Sequence, residues 1–142
     1  MKKNTPFHLA FPVKDLKATI DFYSGILGCK MGRSAMYWVD FNFYGHQLTA
    51  TENAKFVTNM ESIWRNDSTY PIIHFGAILP WDEWTALEEK LRQNKVPFVI
   101  EPHIAFLGEV GEQKSMFLED PSGYAIEFKT FENPERIFKS KK

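Results

Sequence analysis

Apolar residues come in two spacings along this chain, and the alternation between them predicts its elements. Residues 7–13, FHLAFPV, are a short apolar run that reads as a buried strand. Asp15 is placed to cap a helix, and Leu16, Ile20, Tyr23 and Leu27 follow at helical spacing until Gly28. Residues 29–34 predict a short strand. MYWVDFNFY, 36–44, predicts another, and after Gly45 the segment HQLTAT, 46–51, returns as a hairpin.

The order β-α-β-β-β then recurs. Residues 71–79 predict a strand, and Asp82 is expected to cap a helix carrying Trp84, Leu87 and Leu91 that ends near Asn94. A strand region over 96–108 is interrupted by Pro102. KSMFLED and 124–131 predict two more strands, joined by the turn PSG. Between the halves, 53–69 reads as a linker, with Phe56, Met60, Ile63 and Trp64 placed for one face of a short helix. Landmarks align across the halves: His8 with His74, Gly45 with Gly123, Thr49 with Glu127. The expected fold class is α+β: two βαβββ modules, about 6–52 and 70–131, a tail at 132–142, and a single domain over 1–142. Neither half is large enough to bury its own sheet well.

Charge changes the picture by exclusion. A net charge of -1 gives no bulk field for nucleic acid or anionic membrane. No apolar run nears the roughly 20 residues of a membrane span. The apolar part of the first residues is too short for a signal peptide, and Lys14 and Asp15 interrupt it, so a cytoplasmic location is expected. The single cysteine, Cys29, excludes an internal disulfide and reads as a small apolar strand residue.

Two of the four histidines, His8 and His74, fall in matching apolar runs, and Glu127 lies between Ile126 and Phe128, so it takes the opposite sheet face. Two imidazoles and a carboxylate on one face form the set that leaves open positions on a divalent ion. A lone strand histidine is otherwise a hydrogen-bonded core residue, and a lone glutamate a surface charge, so both readings stand on spacing alone.

The segments FHLAFPVKDLKATIDFYSGILGC, HFGAIL and FLEDPSGYAIEFKTF resemble the vicinal oxygen chelate superfamily of glyoxalases, bleomycin-resistance proteins and extradiol dioxygenases. The resemblance spans about 6–131. It implies two curved sheets around a metal whose ligands match His8, His74 and Glu127. Iron(II) is the favoured ion, with manganese, zinc or nickel as alternatives. Glyoxalase I places a fourth, carboxylate ligand where this chain has Thr49, with Gln47 on the same face. The dioxygenases use three ligands, a second histidine matched in position by His103, and a tyrosine where this chain has Phe117. His103 as a general acid or base suits neutral pH. His46, after Gly45, is expected in a turn or interface.

The implied substrate wall comprises Gln47, Thr49 and Thr51, with Tyr37 and Val39 mirroring Ser115 and Phe117. Trp38, Phe41 and Phe43 fit core or pocket. Only Arg33, Lys114 and Lys129 offer nearby cations, too few for a small phosphonate of the kind handled by fosfomycin-resistance thiol transferases. The resemblance therefore implies a metal-dependent enzyme of dioxygenase-like type on a catechol-like small molecule. A glyoxalase-like isomerase or lyase, or a drug-binding protein without catalysis, is the alternative. A homodimer is expected, with no nucleic-acid or membrane partner.

Overall fold

The computed structural model describes residues 4–56 and 70–140. They form two compact units: residues 4–56 with Asp120–Gly123, and residues 70–119 with 124–140. Each unit contains a four-stranded mixed sheet, which gives the α+β class. Met60, Ile63 and Trp64 lie outside the described residues.

In the first unit β1 (His8–Val13) leads into α1 (Leu16–Ile20), and β2 (Lys30–Ala35), β3 (Trp38–Phe43) and β4 (His46–Glu52) follow. The sheet order is β1-β4-β3-β2, with β1 parallel to β4 and the other pairs antiparallel. Asp15 caps α1 as its sequence predicts: its Oδ1 accepts from the Ala18 N–H at 2.7 Å. The expected single helix instead changes to a π-helical turn over Asp21–Ile26. That turn carries Tyr23, fully buried against Phe11, Phe41 and Phe43. The Tyr23 hydroxyl donates to Asp120 Oδ2 at 2.9 Å, and the Lys14 N–H donates to Ser122 Oγ at 3.0 Å. These bonds are why the turn after Glu119 packs with the first unit.

In the second unit β5 (Phe75–Ile78) precedes α2 (Trp81–Gln93), and β6 (Ile100–Ala105), β7 (Gln113–Glu119) and β8 (Ala125–Thr130) complete the sheet in the order β5-β8-β7-β6. A 3₁₀ turn, Pro134–Phe138, follows. Asp82 is not the cap of α2. The N-cap is Pro80, without a side-chain bond, and Asp82 sits in the first turn, where its charge suits the helix dipole. Trp84 anchors α2 by donating from Nε1 to the Phe128 carbonyl at 2.9 Å. Met116, Leu118, Ile126 and Phe128 are fully buried on the sheet. The β6–β7 register shifts between Ile100 and His103, where Pro102 cannot donate to the ladder. No described helix is long and apolar enough to cross a membrane.

Register fixes which residues share a face. Phe41 opposes Leu48 and Val39 opposes Ala50, all buried toward the aromatic core around Tyr23. The other face of the first sheet therefore holds Trp38, Asp40, Asn42, Gln47, Thr49 and Thr51, with His8 beside Gln47.

Candidate metal centre

The repeat is visible in the ladders. Ala10 pairs with Thr49 in the first sheet and Gly76 with Glu127 in the second, and His8 and His74 each stand two residues before those partners. Gly76 is glycine because β5 runs close to β8: a Cβ there would clash with the Glu127 carbonyl.

In the second unit His74, just ahead of β5, meets Glu127 on β8. His74 Nε2 lies 2.8 Å from Glu127 Oε2, and His74 Nδ1 lies 2.7 Å from the Pro71 carbonyl. A carbonyl only accepts, so Nδ1 carries a proton and Nε2 is the nitrogen turned to the carboxylate. Glu127 is 7% exposed; its Oε1 accepts from Ser115 Oγ at 2.9 Å, and Lys129 Nζ stands 3.9 Å from Oε2. The Phe117 ring meets the His74 ring edge-on, centroids 5.2 Å apart.

Electrostatics follow from this packing. The hydrogen bond to Glu127 holds His74 above the ordinary histidine range, against partial burial. Burial pushes Glu127 upward, but the bond from His74, the charge of Lys129 and the bond from Ser115 together hold it below the usual glutamate value. Both shifts favour the charged pair, and a divalent ion held by such donors would compete with protons for them. The donor set fits such an ion: Nδ1 is tied back to a carbonyl, leaving Nε2 as the ligand atom, and the carboxylate is oriented by a hydroxyl. Among the described residues of this unit, no third His, Cys, Asp or Glu joins the pair. His8 belongs to the first unit, at the exposed start of β1 beside Gln47.

Around this pair the second sheet holds other groups. His103 pairs with Ser115 and so lies on the Glu127 side of the sheet. Its Nδ1 donates to the Glu101 carbonyl at 2.8 Å, which leaves Nε2 facing the Tyr70 hydroxyl at 3.5 Å. Tyr70 also packs on Phe117, centroids 5.8 Å apart. In the sequence Tyr70 stands at the boundary between the 53–69 linker and the second module. A cavity of about 400 Å³ takes in Lys129, Arg136 and Lys139 with Ile78, Phe106 and Phe131.

Three sequence expectations need correction. Val39 does not form a polar-face wall; it is 0% exposed on the helix-packed face. Tyr37 lies in the β2–β3 turn, 60% exposed, beside Thr51 in a groove with Ala10 and Pro12. The residues that mirror Ser115 and Phe117 are Trp38 and Asp40, because β3 starts at Trp38 and a one-residue slip reverses every face. Lys114 points to the helix side, its Nζ 4.1 Å from the Trp81 ring centroid, and is not a cation of this site. Arg136 and Lys139, from a segment read as a tail, line a cavity with Lys129. Gln47, Thr49 and Thr51 do share one face with His8 as expected. His46 accepts from the Phe7 N–H through Nδ1 at 2.8 Å, consistent with its turn position.

Comparisons with known proteins agree with this architecture. A family model described as the Glyoxalase/Bleomycin resistance protein/Dioxygenase superfamily matches residues 5–128. The metallothiol transferase FosB of Lysinibacillus sphaericus (strain C3-41) is 30% identical over 133 residues, covering 92% of this chain and 84% of that protein. A glyoxalase/bleomycin resistance protein/dioxygenase of Alicyclobacillus acidocaldarius has 31% identity and a TM-score of 0.78, covering 97% of this chain and 100% of that one. A lactoylglutathione lyase of Agrobacterium tumefaciens, 18% identical with a TM-score of 0.60 over 92% of this chain and 96% of that one, shares the fold.

Proposed function

The chain belongs to the glyoxalase/bleomycin resistance protein/dioxygenase superfamily, and on that premise we propose that it is a divalent-metal-dependent enzyme acting on a small anionic substrate, with chemistry of the metallothiol-transferase kind. The observation that carries the reading is the His74–Glu127 pair, its nitrogen freed by the Pro71 carbonyl and its carboxylate held by Ser115. His8, whose repeat position matches that of His74, is proposed as a third ligand. Nitrogen and oxygen donors without sulfur suit manganese, iron(II) or zinc. When bound, the ion supplies Lewis acidity toward substrate oxygens.

The protein's own residues supply the rest. Lys129, Arg136 and Lys139 offer positive charge beside the apolar surfaces of Ile78, Phe106 and Phe131, a setting for an anion with a small hydrocarbon body. Lys129, 3.9 Å from Glu127 Oε2, joins this cavity to the His74–Glu127 pair, and Arg136 and Lys139 add to the cations counted from the sequence, with Glu109 on the same lining. In a thiol transfer to an epoxide, the sulfur bonds to one ring carbon as that carbon's bond to oxygen breaks; the oxygen stays on the neighbouring carbon and takes up the proton that the thiol gives up. The deciding experiment is metal analysis of protein purified without chelator, followed by the loss of free thiol with fosfomycin as acceptor. Retained manganese or zinc and thiol loss that needs it support the proposal. A protein that takes up no divalent ion, or takes it up equally after His74→Ala, would sink it.

A dioxygenase-like reading, with iron(II) and a catechol, has one observation of its own. The phenol missing at Phe117 is available from Tyr70, which faces His103 Nε2. Oxygen consumption with catechol by the iron-loaded protein, lost in Tyr70→Phe, would favour that chemistry over thiol transfer.

A further inference from the structure

The first sheet carries a carboxylate that the chemistry above does not use. Asp40 sits in the middle of β3, 5% exposed, on the face turned away from the aromatic core. Its Oδ1 accepts from Thr49 Oγ1 at 2.6 Å. Its Oδ2 accepts from Gln47 Nε2 and from Arg33 Nε and Nη2, each at 3.3 Å. Gly32 makes room for it: a Cβ there would stand 3.3 Å from Asp40 Cβ. An open cavity of about 330 Å³ adjoins this network, lined in part by Gly32, Arg33, Asp40, Asn42 and Gln47.

The direction of these bonds decides what the wall can offer. A carboxylate accepts and does not donate. Thr49 therefore gives its single hydroxyl proton to Asp40 and keeps lone pairs for anything else. Gln47 must turn its amide nitrogen to Asp40, which leaves its carbonyl oxygen as the outward group. Two donor groups stand at the rim: Asn42, whose Oδ1 accepts from the Gly45 N–H at 2.8 Å, has its amide nitrogen, and Arg33 its guanidinium. The Arg33 side chain is 80% exposed and reaches over Trp38 at 6.0 Å, so water screens its charge.

We propose that this wall is a subsite for a hydrogen-bond donor of the ligand, an ammonium or a hydroxyl, with Asp40 as the specificity-determining residue. Asp40 acts by its own charge and by setting Thr49 and Gln47 as acceptors. A carboxylate or phosphonate placed against Asp40, Thr49 and Gln47 meets their lone pairs. The proposal goes beyond the metal-dependent reading and rests on the first sheet alone, so failure of either leaves the other standing.

The test compares two probes of like size and opposite charge, benzylammonium and benzoate, on the ¹⁵N-labelled full chain at fixed ionic strength. Benzylammonium is expected to shift the amide signals of Asp40, Gln47 and Thr49 at concentrations roughly tenfold lower than benzoate. Asp40→Asn and Thr49→Val should each weaken benzylammonium by about tenfold, and Asp40→Asn should bring the two probes level. Benzoate binding there as tightly as benzylammonium, or benzylammonium moving only signals elsewhere, overturns the proposal. Should Asp40→Asn fail to fold, Thr49→Val decides: an unchanged preference between the probes also overturns it.

Discussion

His74 shows how much a single hydrogen bond can settle. With Nδ1 tied to the Pro71 carbonyl, only Nε2 is left to meet Glu127. His74→Ala or Glu127→Gln should lower manganese or zinc affinity by at least about a hundredfold. Ser115→Ala, which leaves the ligands in place but releases Glu127 Oε1, should cost roughly 10–100-fold. Isothermal titration on folded variants separates the two grades. The pair also predicts a pH profile for the chelator-treated protein. Because the folded-state value of His74 is raised, its contribution to stability is full below the ordinary histidine value and fades as pH rises through the raised one. Because that of Glu127 is lowered, its contribution is full above the ordinary glutamate value and fades as pH falls through the lowered one. The ion pair is therefore strongest between those two ordinary values, about pH 4.5–6.5. Melting temperatures across pH should show this bulge in the wild type, and His74→Ala should flatten it. Metal affinity should move the other way, rising with pH as His74 gives up its proton.

At the scale of elements, two contacts hold the site's strands where they are. Gly76 lets β5 lie against β8, and Gly76→Ala would set a methyl against the Glu127 carbonyl. That substitution should cost on the order of 3–5 kcal/mol or prevent folding, since backbone on both sides must move. Chemical denaturation would register it. Tyr23, buried on the π-helical turn, donates to Asp120, so it links the first helix to the turn that leads into β8. Tyr23→Phe keeps the ring packing and removes this hydrogen bond to Asp120, at a cost of about 1–3 kcal/mol. An unchanged denaturation midpoint would show the bond to be dispensable.

For the whole molecule, the proposed metal site would link metal binding to stability. An ion that binds only the native state raises stability by about 2.7 kcal/mol at a hundred times its Kd. Manganese or zinc should therefore raise the melting temperature of the wild type and not that of His74→Ala. His8→Ala should behave like His74→Ala if the first unit supplies the third ligand. Light scattering on the same samples would reveal whether a homodimer forms and whether His8→Ala or metal removal changes it.

The sequence by itself determined the repeat, the α+β class and the faces of the last strands. Period-two alternation around Glu127 is unambiguous because Ile126 and Phe128 are both fully apolar, and Asp15 caps its helix through a purely local bond. Alternation fixes a face only relative to a known strand start, however. Reading Met36 and Tyr37 as strand residues puts Val39 on the face that Asp40 holds, so WVDFNF alone does not mark its buried carboxylate. Tertiary structure alone decided the rest. Tyr70 meets His103 across 33 residues, Lys114 turns to Trp81, and Arg136 and Lys139, from beyond the last strand, line one cavity with Lys129. Such pairings are long-range and leave no periodic trace, because nothing local to either residue depends on the other until the chain has folded.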